Sequence, residues 1–327
     1  MRRHTLGTGP AARGVGEICL GALPFGTLVG EETSFAILDR FVEAGGRFID
    51  TSNNYAFWVP GFAGGESERV LGRWRASRGV GDEVVIATKL GAQPRTPGRG
   101  LEDAEGLSAS AIHAAVEDSR ERLGMDRLDL LYTHIEDRSV PMEETLDALG
   151  ALRRAGAIGL VGASNHATWR LERARSLAAV GDRPRYEVLQ YRYSYLQPRF
   201  DIALPESGHV HASPELLDFV QEENTAGRAT GLVVYSTLLS GGYTRSDRPL
   251  SAPYDHPGTP RRLEALREVA AKVGATPNQV VLAWLLGRAP AMIPLVGASS
   301  VEQLEETLQA TRLVLDEEDR ARLDAAG

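Results

Sequence analysis

The stretch FIDTSNNY, residues 48–55, ends an apolar run with Asp50 and places Tyr55 five residues later. Two other apolar runs also end in polar groups, at Lys89 in VVIATK and at His134 in LDLLYTH. A nearby ammonium favours the phenolate and lowers a tyrosine pKa from about 10, and a carboxylate can hold the ammonium in place. A histidine beside them can orient a carbonyl oxygen and stabilise its developing charge. If the four side chains meet, the sequence predicts proton transfer from Tyr55 to a carbonyl oxygen.

Each of these residues also has a structural explanation when taken alone. Asp50 could cap a turn, Tyr55 could be a loop aromatic, and His134 could be a hydrogen-bonded core histidine. Lys89 is harder to explain in this way, because an ammonium after an apolar strand needs a carboxylate partner, and Asp50 is the obvious one. Lysine is rare in this chain, since only Lys89 and Lys272 occur among 36 basic residues. Arginine would replace a compact point charge poorly.

A tyrosine acid needs a second group that attacks the carbonyl carbon. No cysteine lies near the predicted site and no HExxH motif occurs, and His209 and His211 lack further ligands, so we expect a surface loop there and no metal. A bound hydride donor is the simplest remaining attacker. Two segments suit a dinucleotide: 235–242 has an aromatic residue before small ones, and 297–306 is a glycine turn before a helix N-terminus, which attracts phosphate.

Short apolar runs alternate with longer amphipathic segments along nearly the whole chain. The predicted strands are 17–22, 47–51, 83–89, 128–134, 158–164, 186–191, 231–236 and 292–297. The predicted helices are 33–44, 66–77, 108–123, 143–154, 168–180, 213–226, 260–273, 277–288, 300–311 and 316–326, with caps at Thr33, Ser108, Thr276 and Ser300. This order favours a closed (β/α)₈ or TIM barrel that spans 1–327 as one domain. It would gather the polar strand ends at one mouth.

An open doubly wound sheet is the alternative fold. Its glycine fingerprint has a single match, residues 7–12, which contains Pro10 and does not lead into a helix. We therefore regard the match as accidental.

The composition narrows the classes of partner and location. The chain has 327 residues, 43% hydrophobic and 24% charged, with a net charge of −8, which argues against a nucleic-acid partner. Cys19 is the single cysteine, so an internal disulfide framework is excluded. No signal peptide and no apolar run of about 18 residues is present, so we expect a cytoplasmic protein without a membrane partner. A monomer is the default expectation.

The motifs quoted above resemble those of the aldo-keto reductases, and the similarity extends over essentially the whole chain. GGRFIDTSNNY is similar to the family signature around its catalytic aspartate and tyrosine, VVIATKL carries the family lysine, and LDLLYTHIED carries its histidine. The resemblance implies a TIM barrel with a short N-terminal β-hairpin and extra helices. It implies reduction of an aldehyde or ketone by NADPH or NADH, with Asp50, Tyr55, Lys89 and His134 as the catalytic residues.

The resemblance also implies which residues bind the coenzyme. They include Asp50 again and lie after the strands of the second half of the barrel: Ser164, Asn165, Gln190, Tyr235, Ser236, Leu238, Ser240, Gly241, Gly297, Ala298, Ser299, Gln303, Glu306 and Thr307. GASS lacks the lysine or arginine that many relatives have there, and a basic residue near the ribose favours NADP. NADP remains the expectation by family habit, with NAD as the alternative.

Substrate specificity is expected from the loops. Leu23, Phe57 and Trp58 are the predicted substrate residues, and we expect the loop 56–65 to bring Phe62 to the mouth as well. The segments 91–106 and 194–212 could form walls or remain solvent loops. The signature has Ser52 where alanine is common. An alternative function is a channel-associated regulatory or partner-binding subunit, a role that some members of the family have.

Overall fold

A two-stranded antiparallel hairpin begins the fold in the computed structural model, which describes residues 2–327. It consists of β1 (Arg3–Leu6) and β2 (Arg13–Gly16). Leu6 and Val15 are buried in the same apolar cluster as side chains from the barrel interior. The hairpin therefore closes one end of the barrel, and the expected N-terminal hairpin is confirmed.

Eight parallel strands form a closed barrel in the order β10-β3-β4-β5-β6-β7-β8-β9. Their bounds are β3 Cys19–Gly21, β4 Phe48–Asp50, β5 Val85–Leu90, β6 Leu128–Thr133, β7 Ile158–Ser164, β8 Val188–Arg192, β9 Gly231–Tyr235 and β10 Met292–Gly297. Each predicted strand overlaps one of these. The closed barrel is confirmed, and the open doubly wound alternative is wrong.

Ten α-helices surround the barrel within residues 2–327. Their bounds are α1 Glu31–Glu43, α2 Glu66–Arg78, α3 Ala109–Leu123, α4 Met142–Arg154, α5 Thr168–Ala179, α6 Pro214–Thr225, α7 Gly258–Val273, α8 Pro277–Leu286, α9 Val301–Ala310 and α10 Glu317–Asp324. Each of them overlaps a predicted helix. The helices α7 and α10 are additional to the eight βα units, as expected.

Three of the four predicted helix caps are present in the structure. The side chains of Ser108, Thr276 and Ser300 each accept a hydrogen bond from the backbone N–H three residues later, which satisfies a free donor of the first turn. Thr33 is not a cap, because α1 begins earlier, after Gly30. Glu31 and Glu32 extend the helix upstream, where acidic side chains interact favourably with the helix dipole.

The strand register explains why the polar strand ends converge. Asp50 pairs with Ala87, and Lys89 lies two residues beyond Ala87 on β5. Because strand side chains alternate with a period of two, Asp50, Ala87 and Lys89 all point to the same face. Ala87 belongs to the interior cluster of the barrel, so the aspartate and the lysine point inwards.

No helix within residues 2–327 is long and apolar enough to cross a bilayer. The single-domain assignment, the cytoplasmic location and the monomeric state stay predictions.

Candidate active site

A cavity of about 1290 Å³ opens at the carboxyl ends of the barrel strands. This volume exceeds the range of roughly 300–1000 Å³ that is typical of pockets for a single small ligand. The cavity extends from Tyr55 and Trp58 at one side to Gln303 and Thr307 of α9 at the other. The barrel mouth can therefore hold a large ligand together with a smaller one.

Lys89 organises the base of this cavity. Its ammonium donates to Asp50 Oδ1, to the backbone oxygen of Thr51 at 2.7 Å and to the phenol oxygen of Tyr55 at 3.0 Å. An ammonium has three N–H donors, so each is used. Lys89 and Asp50 are buried, while Tyr55 lines the cavity. Since the phenol oxygen accepts from Lys89, the phenol proton is free to be donated into the cavity.

Burial sets the charge states of this group. It raises the pKa of the Tyr55 phenol above the usual value, Asp50 adds to the effect, and Lys89 opposes it. The predicted effect of Lys89 is present, since its ammonium lowers the phenol pKa, but burial outweighs it and leaves the pKa above its usual value. Burial also works against the charge of Lys89, but Asp50 and Tyr55 overcome it and leave the lysine pKa raised. At neutral pH the site holds a protonated phenol beside an ammonium.

His134 lies beside Tyr55 at the same mouth. The two rings meet edge to face, with centroids 6.0 Å apart. Burial, together with the positive charge of Lys89 and the neighbouring His209, holds the pKa of His134 well below its usual range. His134 is therefore a neutral imidazole, and its Nδ1 lies 3.1 Å from Ser52 Oγ.

The predicted nicotinamide-binding residues form a connected network at the ends of β7, β8 and β9. Gln190 Nε2 donates to Asp50 Oδ2 at 2.8 Å, and Ser164 Oγ donates to the backbone oxygen of Gln190 at 2.9 Å. Asn165 Oδ1 accepts from the Tyr235 hydroxyl at 2.7 Å, and its Nδ2 donates to the backbone oxygen of His134 at 3.1 Å. This network links the predicted coenzyme residues to the side chain of Asp50 and to the backbone oxygen of His134.

Most of the other predicted coenzyme residues also line the cavity: Ser236, Leu238, Ser240, Gly241, Gly297, Gln303, Glu306 and Thr307. Ala298 and Ser299 do not line it. Ala298 is buried, and Ser299 bonds with its N–H and hydroxyl to Gln303 Oε1, at 2.9 Å each. The structure thus brings the predicted coenzyme residues together around one cavity, except for Ala298 and Ser299. That these residues bind the coenzyme stays a prediction.

Backbone strain is concentrated in the same segments. Within residues 2–327 the non-glycine residues with positive φ are Asn165, Ser236, Leu239 and Ser240. Such conformations are uncommon outside glycine and cluster at functional sites, where the surrounding structure enforces them. Asn165, Ser236 and Ser240 line the cavity.

The predicted substrate residues Leu23, Phe57 and Trp58 all line the cavity. Trp58 is 50% exposed, and its ring meets that of Tyr55 edge to face, with centroids 6.2 Å apart. Phe62 does not line the cavity and is exposed, so the expectation for it is wrong. It lies on the part of the 56–65 loop that turns out to solvent.

The segments 91–106 and 194–212, which were predicted either to form walls or to remain solvent loops, both contribute to the cavity wall. Leu101 and Glu102 line the cavity from 91–106, and Glu206, Ser207 and His209 line it from 194–212. His209 and His211 lie in the irregular segment between β8 and α6, as the loop prediction has it, but both are half-buried rather than fully exposed. His209 packs against the Tyr235 ring, with centroids 5.4 Å apart.

Sequence reasoning missed Arg192, which lines the cavity and forms an ion pair with Glu206 at 3.1 Å. A signal for it was present, since Arg192 lies two residues after Gln190 on one strand and so points to the same face. It also missed Arg245, which lines the cavity after Gly241. Arg245 lies in an irregular segment after β9, which carries no period from which this contact could be found.

A parallel barrel with an acid–base group at its mouth and a long adjoining cavity defines a class of barrel oxidoreductases. Comparison with known proteins makes the assignment definite: the sequence model of the aldo/keto reductase family matches residues 17–327. The chain belongs to the aldo/keto reductase family. It is an NAD(P)H-dependent oxidoreductase of the kind that acts on small-molecule carbonyl compounds.

Individual relatives support the family assignment. A protein named uncharacterized oxidoreductase YrpG of Bacillus subtilis is 31% identical over 309 residues, which cover 93% of this chain and 90% of the relative. Norsolorinic acid reductase stcV of Emericella nidulans is 32% identical over 324 residues, which cover 93% of this chain and 76% of the relative. The crystal structure of a thermostable aldo-keto reductase in complex with the inhibitor epalrestat matches the full length of both chains with a TM-score of 0.75 and 25% identity.

Proposed function

We propose that this protein reduces an aldehyde or ketone to an alcohol by hydride transfer from NADPH, with Tyr55 as the proton donor. The observation that carries the proposal is the use of all three Lys89 donors on Asp50, Thr51 and Tyr55 at the base of the cavity. This arrangement fixes a charged group beside a protonated phenol that faces the ligand space.

The chemistry follows from the positions of these groups. Ser164, Asn165, Gln190 and Tyr235 would hold a reduced nicotinamide, which, when bound, would supply the hydride for the new C–H bond. Tyr55 gives its proton to the carbonyl oxygen as the C=O π bond breaks, so the product is the neutral alcohol. Lys89 then stabilises the phenolate that remains, and Asp50 keeps the lysine charged and in place. Solvent returns a proton to Tyr55 for the next turnover.

Ser164, Asn165 and Gln190 are proposed to hold the nicotinamide carboxamide, and Tyr235 to stack on its ring. Two observations support this. Their side chains join the network that includes Asp50 and His134, and the cavity continues from them to α9 without interruption. Ser300 caps α9, whose exposed N-terminus offers a favourable place for a phosphate.

NADPH rather than NADH is proposed because a basic side chain reaches the coenzyme part of the cavity from another segment. Gly297 to Ser299 offer no positive charge, but Arg245 lines the cavity together with Ser240 and Gly241. Its guanidinium pairs with Asp247 at 2.6 Å on an exposed surface, where a phosphate can compete for it.

The Arg245→Ala variant tests this choice of coenzyme. We expect KM for NADPH to rise by about tenfold while KM for NADH changes little, because a charge-assisted hydrogen bond contributes about 1.5 kcal/mol or more. Asp247→Ala is the matched control and should not raise KM for NADPH. An equal rise for both coenzymes would place Arg245 at a phosphate that both share.

The substrate end of the cavity favours an aromatic or otherwise apolar carbonyl compound. Leu23, Phe57 and Trp58 provide this surface next to Tyr55. One relative, 28% identical over 334 residues, is named aryl-alcohol dehydrogenase. An aryl aldehyde or aryl ketone is therefore the proposed substrate class.

The direct test is to follow loss of reduced nicotinamide absorbance in purified protein with aryl and alkyl aldehydes and ketones. Tyr55→Phe should lower kcat by roughly 1000-fold, within the range for a general acid, and leave the Kd for NADPH nearly unchanged. The control is Tyr193→Phe, since that ring stacks on Trp284 outside the cavity. Coenzyme binding without turnover of any carbonyl in the wild type would favour the regulatory alternative.

A further inference from the structure

Glu105 is a half-buried carboxylate that joins the segments following β4 and β5. Its Oε1 accepts the Asn53 side-chain N–H at 2.8 Å and the Gly91 backbone N–H at 2.6 Å. Gly91 lies two residues after Lys89, and Asn53 lies two residues before Tyr55. Glu105 does not line the cavity, so it can act on the reaction only through these neighbours.

Glu105 reaches Gly91 because the segment 91–106 folds back on its own start. The backbone N–H of Glu105 donates to the backbone oxygen of Gln93 at 2.8 Å. Gly91 has a φ of +96°, and a Cβ atom there would lie 2.6 Å from the Leu107 side chain. A glycine is therefore required at this turn, and the turn directs its N–H to the carboxylate.

The orientation of the Asn53 amide depends on the same carboxylate. Asn53 is buried, and its Oδ1 has no partner within residues 2–327, so the bond from Nδ2 to Glu105 is what fixes the amide. The backbone N–H of Asn53 donates to the backbone oxygen of Lys89 at 3.1 Å. The loop that carries Tyr55 is thus attached to the end of β5 directly and again through Glu105.

The surroundings of Glu105 indicate a positional role. Burial raises its pKa, and the N–H groups that donate to it oppose this effect. The nearby Arg122 pairs with Glu68 at 2.6 Å, so an ion pair does not account for the glutamate. Glu105 is also not among the charged groups that shift the pKa of Lys89 or of Tyr55. Its contribution therefore comes from the N–H groups that it holds in place.

We propose that Glu105 is a positioning residue for proton transfer, because its carboxylate holds the Tyr55 loop against the end of β5 and so keeps the phenol oxygen on the Lys89 ammonium. This inference rests on the proposed function. The bond between Tyr55 and Lys89 is 3.0 Å long and joins two separate segments, so its length follows how those segments are placed. A displacement of about 1 Å that originates away from the reacting groups can lower a rate by roughly 100-fold.

The kinetic test uses benzaldehyde as the carbonyl compound. Glu105→Ala should lower kcat/KM by roughly 100-fold and leave the Kd for NADPH unchanged. Glu105→Gln keeps an oxygen acceptor and should lose only about tenfold, since a neutral amide oxygen accepts more weakly than a carboxylate. Asn53→Ala should lower kcat/KM as well. Adding it to Glu105→Ala should cost little more, because both changes remove the same hydrogen bond.

The solvent isotope effect on kcat/KM separates positioning from stability. A variant with fewer folded molecules loses rate by the same factor in H₂O and in D₂O, so the ratio of the two rates stays that of the wild type. A displaced Tyr55 slows the proton transfer itself, so the isotope effect of Glu105→Ala should rise above the wild-type value. Glu105→Gln should give an intermediate value.

Two control variants remove other carboxylates that accept a backbone N–H. Glu17 accepts from Arg2 at 2.8 Å, near the hairpin that closes the other end of the barrel. Asp103 accepts from Thr96 at 3.0 Å within the segment 91–106. Glu17→Ala tests the loss of a buried glutamate, and Asp103→Ala tests a looser segment. Both should keep the solvent isotope effect of the wild type.

A second measurement does not depend on turnover. The chain has two lysines, so protein labelled with ¹⁵N-lysine gives two ammonium signals, and Lys272→Arg identifies that of Lys89. Tyr55→Phe shows where this signal lies when the phenol oxygen is lost. Glu105→Ala should move the Lys89 signal towards that position, while the two control variants should not.

A Lys89 signal and a solvent isotope effect that both keep their wild-type values in Glu105→Ala would overturn the proposal, whatever the loss in kcat/KM, because Glu105 would then only stabilise the fold. A wild type that reduces no carbonyl compound instead overturns the proposed function. In that case the Lys89 signal still decides whether Glu105 holds Tyr55 on the lysine.

Discussion

The two lysines of the chain occupy contrasting regions. The Lys89 side chain is 0% exposed at the barrel mouth, whereas that of Lys272 is 50% exposed near the end of α7. Lys89 has one carboxylate partner, Asp50, and two oxygen acceptors that are fixed by the surrounding structure. Lys272 lies near three carboxylates on or beside α10, at 2.8 Å from Asp319, 3.3 Å from Glu318 and 3.7 Å from Asp316.

The difference teaches that surroundings, rather than residue type, decide what a lysine does. Around Lys89 three acceptors converge on one compact ammonium whose side chain is fully buried. Around Lys272 the carboxylates are at different distances and two of them, on Asp316 and Glu318, are exposed, so a guanidinium could satisfy them as well. The presence of lysine rather than arginine therefore has a structural explanation at position 89 but not at position 272.

The largest expected effect comes from making the same substitution in both regions. Lys89→Arg should lower kcat/KM by roughly 1000-fold, since the longer planar group cannot bond to Asp50, Thr51 and Tyr55 from one buried point. Lys272→Arg should change kcat/KM by less than about twofold, because it stays an exposed ion pair. Steady-state kinetics of the two variants measure the contrast. Similar losses at both positions would show that arginine is unsuitable for a reason unrelated to the site.

A smaller effect is expected when a carboxylate partner is neutralised in each region. Asp50→Asn should lower kcat roughly 100-fold and move the alkaline limb of the pH profile to lower pH. Burial works against the charge of Lys89, and removing Asp50 removes the main influence that keeps its pKa raised. Asp316→Asn, beside Lys272, is the control and should leave the profile unchanged. An unchanged alkaline limb in Asp50→Asn would mean that Lys89 does not control it.

The smallest expected effect concerns stability in mild acid. Burial lowers the pKa of His166 to about 4, and that of His134 lies well below its usual range. The unfolded chain takes up these protons near pH 6.5 while the folded protein does not, so stability is fully present above pH 6.5 and decreases below it. Each histidine should contribute a slope of up to about 1.4 kcal/mol per pH unit, continuing towards pH 4 for His166.

Urea unfolding at several pH values between 7.5 and 4.5 measures this slope. His166→Gln should reduce it, while His113→Gln should not, because His113 is exposed on α3. Hydrogen exchange should show that acid loosens the mouth before the α7–α10 contact, where the backbone N–H of Asp319 and the ammonium of Lys272 hold the pKa of Asp316 below its usual value. A slope that is independent of His166 would assign the acid sensitivity to other groups.

Much of the fold could be predicted because its signals are local. The period of apolar residues marked each barrel strand and each helix, and serine and threonine caps marked three helix starts. The catalytic candidates were found in the same way, because Asp50, Lys89 and His134 each end an apolar run. Parallel strands in a barrel bring such ends together without any further information.

What the sequence could not provide depends on the solvation and contacts of distant segments. The sequence predicted that Lys89 lowers the Tyr55 pKa but not that burial outweighs it, because the net direction depends on how deeply the phenol is buried. Phe62 was misplaced, and the contact of His209 with the cavity was not predicted, because irregular loops have no period that assigns a residue to a face. Arg192 and Arg245 were missed, although the position of Arg192 on β8 was a usable signal.

The sequence by itself determined the barrel, the family and the order of the polar groups around the mouth, because apolar periodicity and strand ends are properties of short segments. Only the tertiary structure decided that one ammonium reaches Asp50, Thr51 and Tyr55 at once. It alone also decided that Ser52 lies between Asn54 and His134 in one buried hydrogen-bond chain. The reason is physical: hydrogen-bond direction and desolvation depend on distances of a few ångströms between segments, and those distances exist only after the chain has folded.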